Sequence, residues 1–154
     1  MAANLFAYGT LMFPEVAARI AAIQTWGEPV TLERFTRCTV RIPGRTRGLF
    51  PAVIPAPNER VNGLLYRDVS DRELALLDEF EGVTQGSYVR ELRTIDTDSG
   101  ICPAFIYVCG DQLKQFLSGA WSPLAFREDE LDWYISHIVD GFADDRRVKL
   151  PDES

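Results

Sequence analysis

The sequence predicts an α+β or small-barrel domain rather than a nucleotide-binding fold of alternating parallel strands and helices. Strand-like and helical segments are interspersed along the chain, and a proline-rich stretch interrupts its middle. Gly9 follows the first predicted strand, but its neighbours lack the repeated glycines and the lysine that phosphate-binding loops require. We therefore expect no ATP or NAD site.

In the first half of the chain, residues 4–8 form a short apolar run typical of a buried strand. A helix is predicted from about Pro14, because proline suits a first helical turn and apolar residues follow at helical spacing. Partial alternation of polar and apolar residues indicates a strand over residues 29–42. Residues 43–58 hold four prolines and two glycines and predict an irregular surface loop, before a strand at residues 61–69.

The second half opens with a capping box, in which Ser70 and Glu73 satisfy the first free amides of a helix. This helix should end near Glu81, because Gly82 suits the left-handed residue that terminates helices.

Further along the chain, two strands, a short helix and a long final helix are expected. The predicted strands are residues 88–97 and residues 103–109, the latter buried on both faces. The short helix spans residues 111–117, and the final helix begins near Arg127, ahead of a charged tail.

The length of 154 residues suits one domain, since a chain of this size buries roughly two-thirds of its unfolded surface in a single core. We assign residues 1–143 to this domain and residues 144–154 to the charged C-terminal tail. An apolar fraction of 46% and a charged fraction of 25% are those of an ordinary globular protein.

The net charge of −7 opposes nucleic-acid binding, which needs clustered Lys and Arg. A local basic stretch at residues 34–47 fits a solvated strand and turn better than an anion site, and its role is left open. It comprises Arg34, Arg37, Arg41, Arg45 and Arg47.

A cytoplasmic location without membrane contact is expected, because the sequence has neither a signal-like N-terminus nor a long apolar run. Its cysteines, Cys38, Cys102 and Cys109, lack the paired spacing of zinc sites, so reduced thiols and no metal are expected.

Glu81 is the strongest catalytic candidate on local grounds. Leu74, Leu77 and Glu81 have i, i+3 and i+7 spacing, which places this carboxylate on the inward face of its helix, whereas Asp78 and Glu79 should be solvated. Burial near a helix C-terminus should raise the pKa of Glu81 towards that of an efficient general base. The alternative is a frayed last turn in which Glu81 reaches water or pairs with an arginine such as Arg90.

Nucleophilic catalysis is less favoured. The sole histidine, His137, lies in the predicted final helix, where the adjacent Ser136 should not face it. A Cys-His pair would need the fold to bring a cysteine to His137, and buried structural thiols are commoner.

Four segments together resemble the γ-glutamyl cyclotransferase superfamily, in its branch of γ-glutamylamine cyclotransferases and plant AIG2-like proteins. They are FAYGTLM at residues 6–12, FPAV at residues 50–53, VNGLLY at residues 61–66, and LDEFEG at residues 77–82 followed by YVR at residues 88–90. The loop at residues 83–87, between LDEFEG and YVR, is longer than in the plant-like pattern, so the leaving-group side of the site should differ.

The resemblance implies a compact, β-barrel-like α+β fold with flanking helices and a cavity for a small γ-glutamyl substrate, without any cofactor. It assigns the catalytic glutamate to Glu81. It also implies that Tyr8, Gly9, Thr10 and Leu11 bind the γ-glutamyl group through backbone amides, with Tyr88 lining the same cavity. Gly9 is expected because the chain turns tightly there.

In the implied reaction, Glu81 takes a proton from the substrate's α-amino group, which attacks its own γ-carbonyl and releases 5-oxoproline and an amine. The alternatives are a non-catalytic binding domain, or a γ-glutamyl hydrolase or acyltransferase on the same scaffold. The substrate and the oligomeric state are left open.

Overall fold

The computed structural model describes residues 3–149, with side chains described through Asp144, and its centre is a six-stranded mixed sheet. The strands are β1 (Ala3–Ala7), β2 (Glu28–Val40), β3 (Pro51–Val69), β4 (Tyr88–Thr97), β5 (Gly100–Cys109) and β6 (Leu117–Ala120). The helices are α1 (Pro14–Ala21), α2 (Asp71–Phe80), α3 (Pro123–Asp129), α4 (Leu131–Tyr134) and α5 (Asp140–Lys149), and a π-helical segment, Ile135–Val139, joins the last two.

The strand order is β4-β5-β1-β3-β2-β6, with β1 parallel to β5 and antiparallel to β3. The α+β class is therefore confirmed. The sheet bends enough for the Arg93 guanidinium of β4 to lie 5.7 Å from the Phe35 ring of β2. Strand pairing within residues 3–149 does not close it into a ring, so the barrel-like description holds only loosely.

The short first strand creates the opening in which the cavity forms. β1 ends at Ala7, paired with Leu64 of β3. Beyond that point β3 and β5 pair directly, at Val53 and Val108. Because the sheet continues without β1, the segment after Ala7 can leave the plane of the sheet. We call this segment, residues 8–13, the loop after β1.

Alternate residues of β1 enter two hydrophobic cores, as the two-residue period of a strand requires. Leu5 and Ala7 pack with the helices, whereas Phe6 and Tyr8 pack on the opposite face of the sheet. The last four residues of β5 are all buried, which agrees with the prediction of a strand covered on both faces.

The proline-rich stretch was predicted incorrectly. Residues 43–50 are irregular, but from Pro51 the chain is already in β3, which runs for 19 residues. Pro55 pairs with Phe35 next to a register shift between Glu33 and Phe35, where Arg34 has a φ of 68°. Proline is tolerated beside such an irregularity because a ladder hydrogen bond is already missing there.

The expected helix at residues 111–117 is also wrong. The chain makes a single 3₁₀ turn at Lys114–Phe116 and then β6, which pairs with β2. The final helical region begins earlier than predicted, at Pro123, because the Ser122 hydroxyl accepts a hydrogen bond from the N–H of Ala125 at 3.2 Å and caps it.

The charged tail is partly helical. α5 continues to Lys149, so residues 144–149 of the predicted tail extend this helix. Residues 150–154 of the predicted tail lie outside the described residues.

Candidate active site

Helix α2 is capped at its start and terminated by a glycine at its end, and these two features fix the position of Glu81. At the start, the Ser70 hydroxyl accepts from the N–H of Glu73 at 3.1 Å, and the Ser70 N–H donates to Glu73 Oε1 at 2.7 Å, which confirms the capping box. At the end, Gly82 has a φ of 67°.

Two hydrogen bonds complete a Schellman motif at this C-terminus. The Gly82 N–H donates to the Glu79 carbonyl at 3.2 Å, and the Val83 N–H donates to the Asp78 carbonyl at 3.0 Å. Since Glu81 is the residue immediately before the left-handed glycine, the same motif fixes its backbone and the direction of its side chain.

Glu81 lines a cavity of about 230 Å³. The volume is below the ~300–1,000 Å³ of typical drug-sized sites, which suits a small ligand. The wall combines the loop after β1, the end of α2 and the C-terminal helical region. It includes Tyr8, Gly9, Thr10, Leu11, Ile42, Arg45, Phe50, Pro51, Phe80, Gly82, Ser87, Tyr88, Tyr107, Leu113, Tyr134 and Ile138.

The electrostatic environment favours the neutral form of Glu81. Burial, and to a lesser degree the charge of the nearby Asp78 carboxylate, raises the pKa of Glu81 to about 8. Arg90, the partner considered from the sequence, instead pairs with Asp78, with Arg90 Nη1 and Asp78 Oδ2 3.2 Å apart. Among the described residues no cation pairs with Glu81 to offset its desolvation.

Asp78 is not the solvated residue that the sequence suggested. Its Oδ1 accepts a hydrogen bond from the Tyr107 hydroxyl at 2.8 Å, in addition to the Arg90 ion pair. Arg90 also lies over the Phe105 ring, at 4.6 Å from its centre. This network ties the last turn of α2 to strands β4 and β5, so the helix end that carries Glu81 is held against the sheet.

Besides Tyr107, three buried tyrosines line the site, and the hydroxyl of each has a polar partner, as buried tyrosines normally do. The Tyr8 hydroxyl donates to the Tyr107 carbonyl, and the Tyr88 hydroxyl donates to the Pro51 carbonyl at 2.7 Å. The Tyr134 hydroxyl lies 3.5 Å from Thr10 Oγ1. Burial and, to a lesser degree, Glu81 raise the pKa of all three phenols, so they remain neutral hydrogen-bonding groups.

The loop after β1 is fixed by side chains from other elements. Arg37 Nη1 donates to the Tyr8 carbonyl at 2.8 Å, and the Tyr66 hydroxyl donates to the Leu11 carbonyl at 2.8 Å. Within the described part of the chain, the N–H groups of Gly9, Thr10 and Leu11 have no backbone acceptor. The loop therefore presents preorganised donors next to the cavity.

Gly9 is required for a reason other than the tight turn predicted. Its φ of −124° is not left-handed. A Cβ at this position would lie 2.8 Å from Cγ of Pro51, closer than real side chains approach. The absence of a side chain lets the loop pack directly on the start of β3.

The six site residues predicted from the sequence, Tyr8, Gly9, Thr10, Leu11, Glu81 and Tyr88, all lie in the wall of this one cavity. Sequence reasoning missed Arg45 and Tyr134 as wall residues. Tyr134 belongs to the apolar face of the predicted final helix, but nothing local shows that this face meets the loop after β1. Arg45 belongs to the basic stretch at residues 34–47, to which no role was assigned from the sequence.

The other reactive side chains lie elsewhere. Ser136 Oγ is 2.9 Å from His137 Nδ1, so the expectation that these neighbours cannot meet is wrong, but both residues are exposed and neither lines the cavity. His137 stacks on Trp133.

A metal site and a membrane-spanning helix are both absent from the part of the chain that the structure describes. Over the described residues, no group of three His, Cys, Asp or Glu side chains is arranged to hold a metal ion. No helix described here has the length and apolar character needed to cross a bilayer.

Comparison with known proteins identifies the family. The model of the family described as γ-glutamyl cyclotransferase, AIG2-like, matches residues 5–123. AIG2-like protein C of Arabidopsis thaliana is 28% identical over 145 residues, which cover 94% of this chain and 80% of that protein. AIG2-like protein D of the same plant is 35% identical over 97 residues, covering 62% of this chain and 59% of that protein.

A solved structure of a γ-glutamyl cyclotransferase has the same fold. It aligns with a TM-score of 0.65 at 19% identity, covering 91% of this chain and 87% of that one. Residues 5–123, which the family model matches, contain the loop after β1, the end of α2 and Glu81. The chain belongs to the γ-glutamyl cyclotransferase, AIG2-like family.

Proposed function

We propose that this protein is a cofactor-independent cyclotransferase that converts a γ-glutamyl amine or γ-glutamyl amino acid into 5-oxoproline and a free amine, with Glu81 as general acid and base. The observation that carries the proposal is a desolvated carboxylate, with a pKa of about 8, in the wall of a small cavity beside a loop with unpaired amides. Such a carboxylate exchanges protons efficiently near neutral pH.

The reaction requires no external reactant. Ionised Glu81 removes a proton from the substrate's α-ammonium group, and the amine nitrogen then attacks the γ-carbonyl carbon to form a five-membered ring. The ring nitrogen gives up a second proton as the bond from this carbon to the departing nitrogen breaks. Glu81 relays both protons to the departing nitrogen, so the amine leaves as an ammonium ion. The amides of Gly9, Thr10 and Leu11 are suited to the negative charge that develops on the carbonyl oxygen.

The cavity contributes mainly by holding the substrate in a folded conformation. Ring closure is intramolecular, so its rate depends strongly on how closely the amine is held to the carbonyl carbon. The neutral phenols of Tyr8, Tyr88 and Tyr134 line this space and keep fixed dipoles around the reacting atoms.

The deciding experiment compares wild type with Glu81→Gln, a nearly isosteric change that removes the base. Both are incubated with a panel of γ-glutamyl amines and γ-glutamyl amino acids, and 5-oxoproline, glutamate and free amine are quantified by mass spectrometry. We expect wild type to release 5-oxoproline and Glu81→Gln to be slower by about 10²–10⁴-fold.

Glu79→Gln is the matched control, because it makes the same chemical change on an exposed residue of the same helix. It should retain wild-type activity. Release of glutamate in place of 5-oxoproline would identify a hydrolase. Binding of γ-glutamyl ligands without either product would identify a binding domain.

A further inference from the structure

The cavity holds one positively charged side chain that the reaction scheme does not use. Among the described residues of its wall, Arg45 is the sole Lys or Arg, and Glu81 is the sole Asp or Glu. Arg45 is half-buried. Because Glu81 favours its neutral form, the described residues of the cavity wall supply no counter-ion for Arg45.

The protein holds the Arg45 guanidinium in place without neutralising it. Its Nε donates to the Arg47 carbonyl at 3.0 Å and its Nη2 donates to the Gly48 carbonyl at 2.8 Å. The guanidinium lies 5.2 Å from the centre of the Phe50 ring. These contacts use two of the five N–H donors, and no carboxylate within the described residues pairs with the group.

The neighbouring arginines differ from Arg45 in this respect. Arg47 Nε lies 2.8 Å from Glu130 Oε2, so its charge is balanced by the protein. Arg37 donates to the Tyr8 carbonyl and supports the loop after β1. Arg45 alone of these three combines a place in the cavity wall with unused donors.

Tyr134 links the two charged residues of the cavity. Burial raises the pKa of Tyr134, Glu81 raises it further, and Arg45 opposes the shift, so this phenol lies within electrostatic range of both groups. Arg45, Tyr134 and Glu81 line the same small cavity, so a single ligand bound there can contact both charged residues.

We propose that Arg45 binds a carboxylate of the substrate and thereby selects γ-glutamyl compounds that carry one at this position. A planar guanidinium with fixed orientation matches a carboxylate through paired, charge-assisted hydrogen bonds. Two groups on a substrate have this chemistry: the α-carboxylate of the γ-glutamyl unit and the carboxylate of a departing amino acid. The inference rests on the proposed function for the substrate class.

The experiment measures binding rather than turnover, so it remains informative if the protein proves inactive. Glu81→Gln serves as the parent, and Glu81→Gln/Arg45→Gln as the test variant. Calorimetry gives Kd for three ligands: γ-glutamyl-alanine, γ-glutamyl-ethylamide, which lacks the second carboxylate, and an analogue of γ-glutamyl-ethylamide with an α-carboxamide.

We expect the Arg45 change to weaken binding about 10-fold to 100-fold for each ligand that retains the recognised carboxylate. Loss with γ-glutamyl-alanine alone identifies the carboxylate of the departing amino acid. Loss with both γ-glutamyl-alanine and γ-glutamyl-ethylamide, but not with the α-carboxamide, identifies the α-carboxylate.

Two further variants separate recognition from loop structure. Arg47→Gln in the same parent removes an adjacent arginine that does not line the cavity, and should leave all three Kd values unchanged. Arg45→Lys keeps the charge without the fork and should restore part of the binding.

The proposal is overturned if Arg45→Gln changes all three Kd values equally, if it changes none, or if the parent binds none of the ligands. If instead binding depends on Arg45 as expected but wild type makes no 5-oxoproline, the recognition site stands and the proposed reaction fails.

Discussion

Glu81 and Asp78 are two carboxylates one helical turn apart, and they differ in the groups that surround them. Asp78 forms an ion pair with Arg90 and accepts a hydrogen bond from the Tyr107 hydroxyl. Glu81 has no such partner among the described residues and meets the charge of Asp78 in addition to its own desolvation. The charge of Asp78 thus adds to the effect of burial on the pKa of Glu81.

This arrangement predicts a shift in the pH dependence of the reaction. Activity that needs ionised Glu81 should rise with pH through about 8. Asp78→Asn removes a like charge and leaves Arg90 uncompensated, and both changes favour ionised Glu81. The lower limb of the profile of kcat/KM against pH should therefore move to lower pH.

The same substrate is used for wild type and Asp78→Asn, so titration of its own amine is common to both profiles. Asp111→Asn, at an exposed residue paired with Lys114, is the matched control and should leave the profile in place. A limb that stays fixed or moves to higher pH in Asp78→Asn would contradict the assignment of Glu81 as the base.

Spacing within one helix was sufficient to select Glu81, because Leu74 and Leu77 define the inward face of α2. The same reasoning failed for Asp78. Its partners Arg90 and Tyr107 come from strands distant in the sequence, and a helical pattern contains no information about side chains that approach from another element.

The loop after β1 and the start of β3 form a single packed unit, in which Gly9 contacts Pro51 and the Pro51 carbonyl accepts from Tyr88. We expect Gly9→Ala to reduce kcat/KM about 10-fold to 100-fold, because the new methyl group displaces the loop amides by several tenths of an ångström or more. The fold should be retained at a cost of about 1–3 kcal/mol in the free energy of unfolding.

Steady-state kinetics and thermal unfolding of the same samples test this expectation. Gly141→Ala is the matched control, since a Cβ there meets nothing within 4 Å. Wild-type kcat/KM in Gly9→Ala would show that the position of these amides is not needed for the reaction.

Elements with regular periodicity were predictable, and those fixed by long-range pairing were not. The alternation in β4 and the capping box of α2 are local signals, and the structure confirms both elements. β3 was missed over its first ten residues because its prolines indicate a loop, whereas pairing with β2 makes this segment a strand. β6 has four residues and is a strand solely through its pairing with β2.

The free energy of unfolding of the whole protein should depend on pH because of Glu81. The folded-state pKa of Glu81, about 8, exceeds the ordinary value of 4.5, so folding favours the protonated form. The corresponding stability is fully present below pH 4.5 and is lost as pH rises towards 8. The loss is on the order of a few kcal/mol.

Glu81→Gln should therefore be more stable than wild type above about pH 8, and its advantage should shrink as pH falls towards 4.5. Thermal unfolding measured across this range gives the difference in Tm at each pH. Glu79→Gln controls for the loss of one negative charge. A Tm difference that does not depend on pH would mean that Glu81 is solvated in the folded protein.

The cavity is closed by a segment that lies outside the match to the family. Residues 5–123 match the family model, whereas Tyr134 and Ile138 belong to the helical region beyond it. Ile138 lies in the π-helical segment, a distortion that is frequent at functional sites.

Glu81 and the loop amides thus lie within the residues that the family model matches, whereas one wall of the cavity lies beyond them. A substitution at Tyr134 or Ile138 would change the shape of that wall while leaving Glu81 and the loop amides in place. The set of ligands that fits the cavity can therefore be altered separately from the residues proposed to carry the reaction.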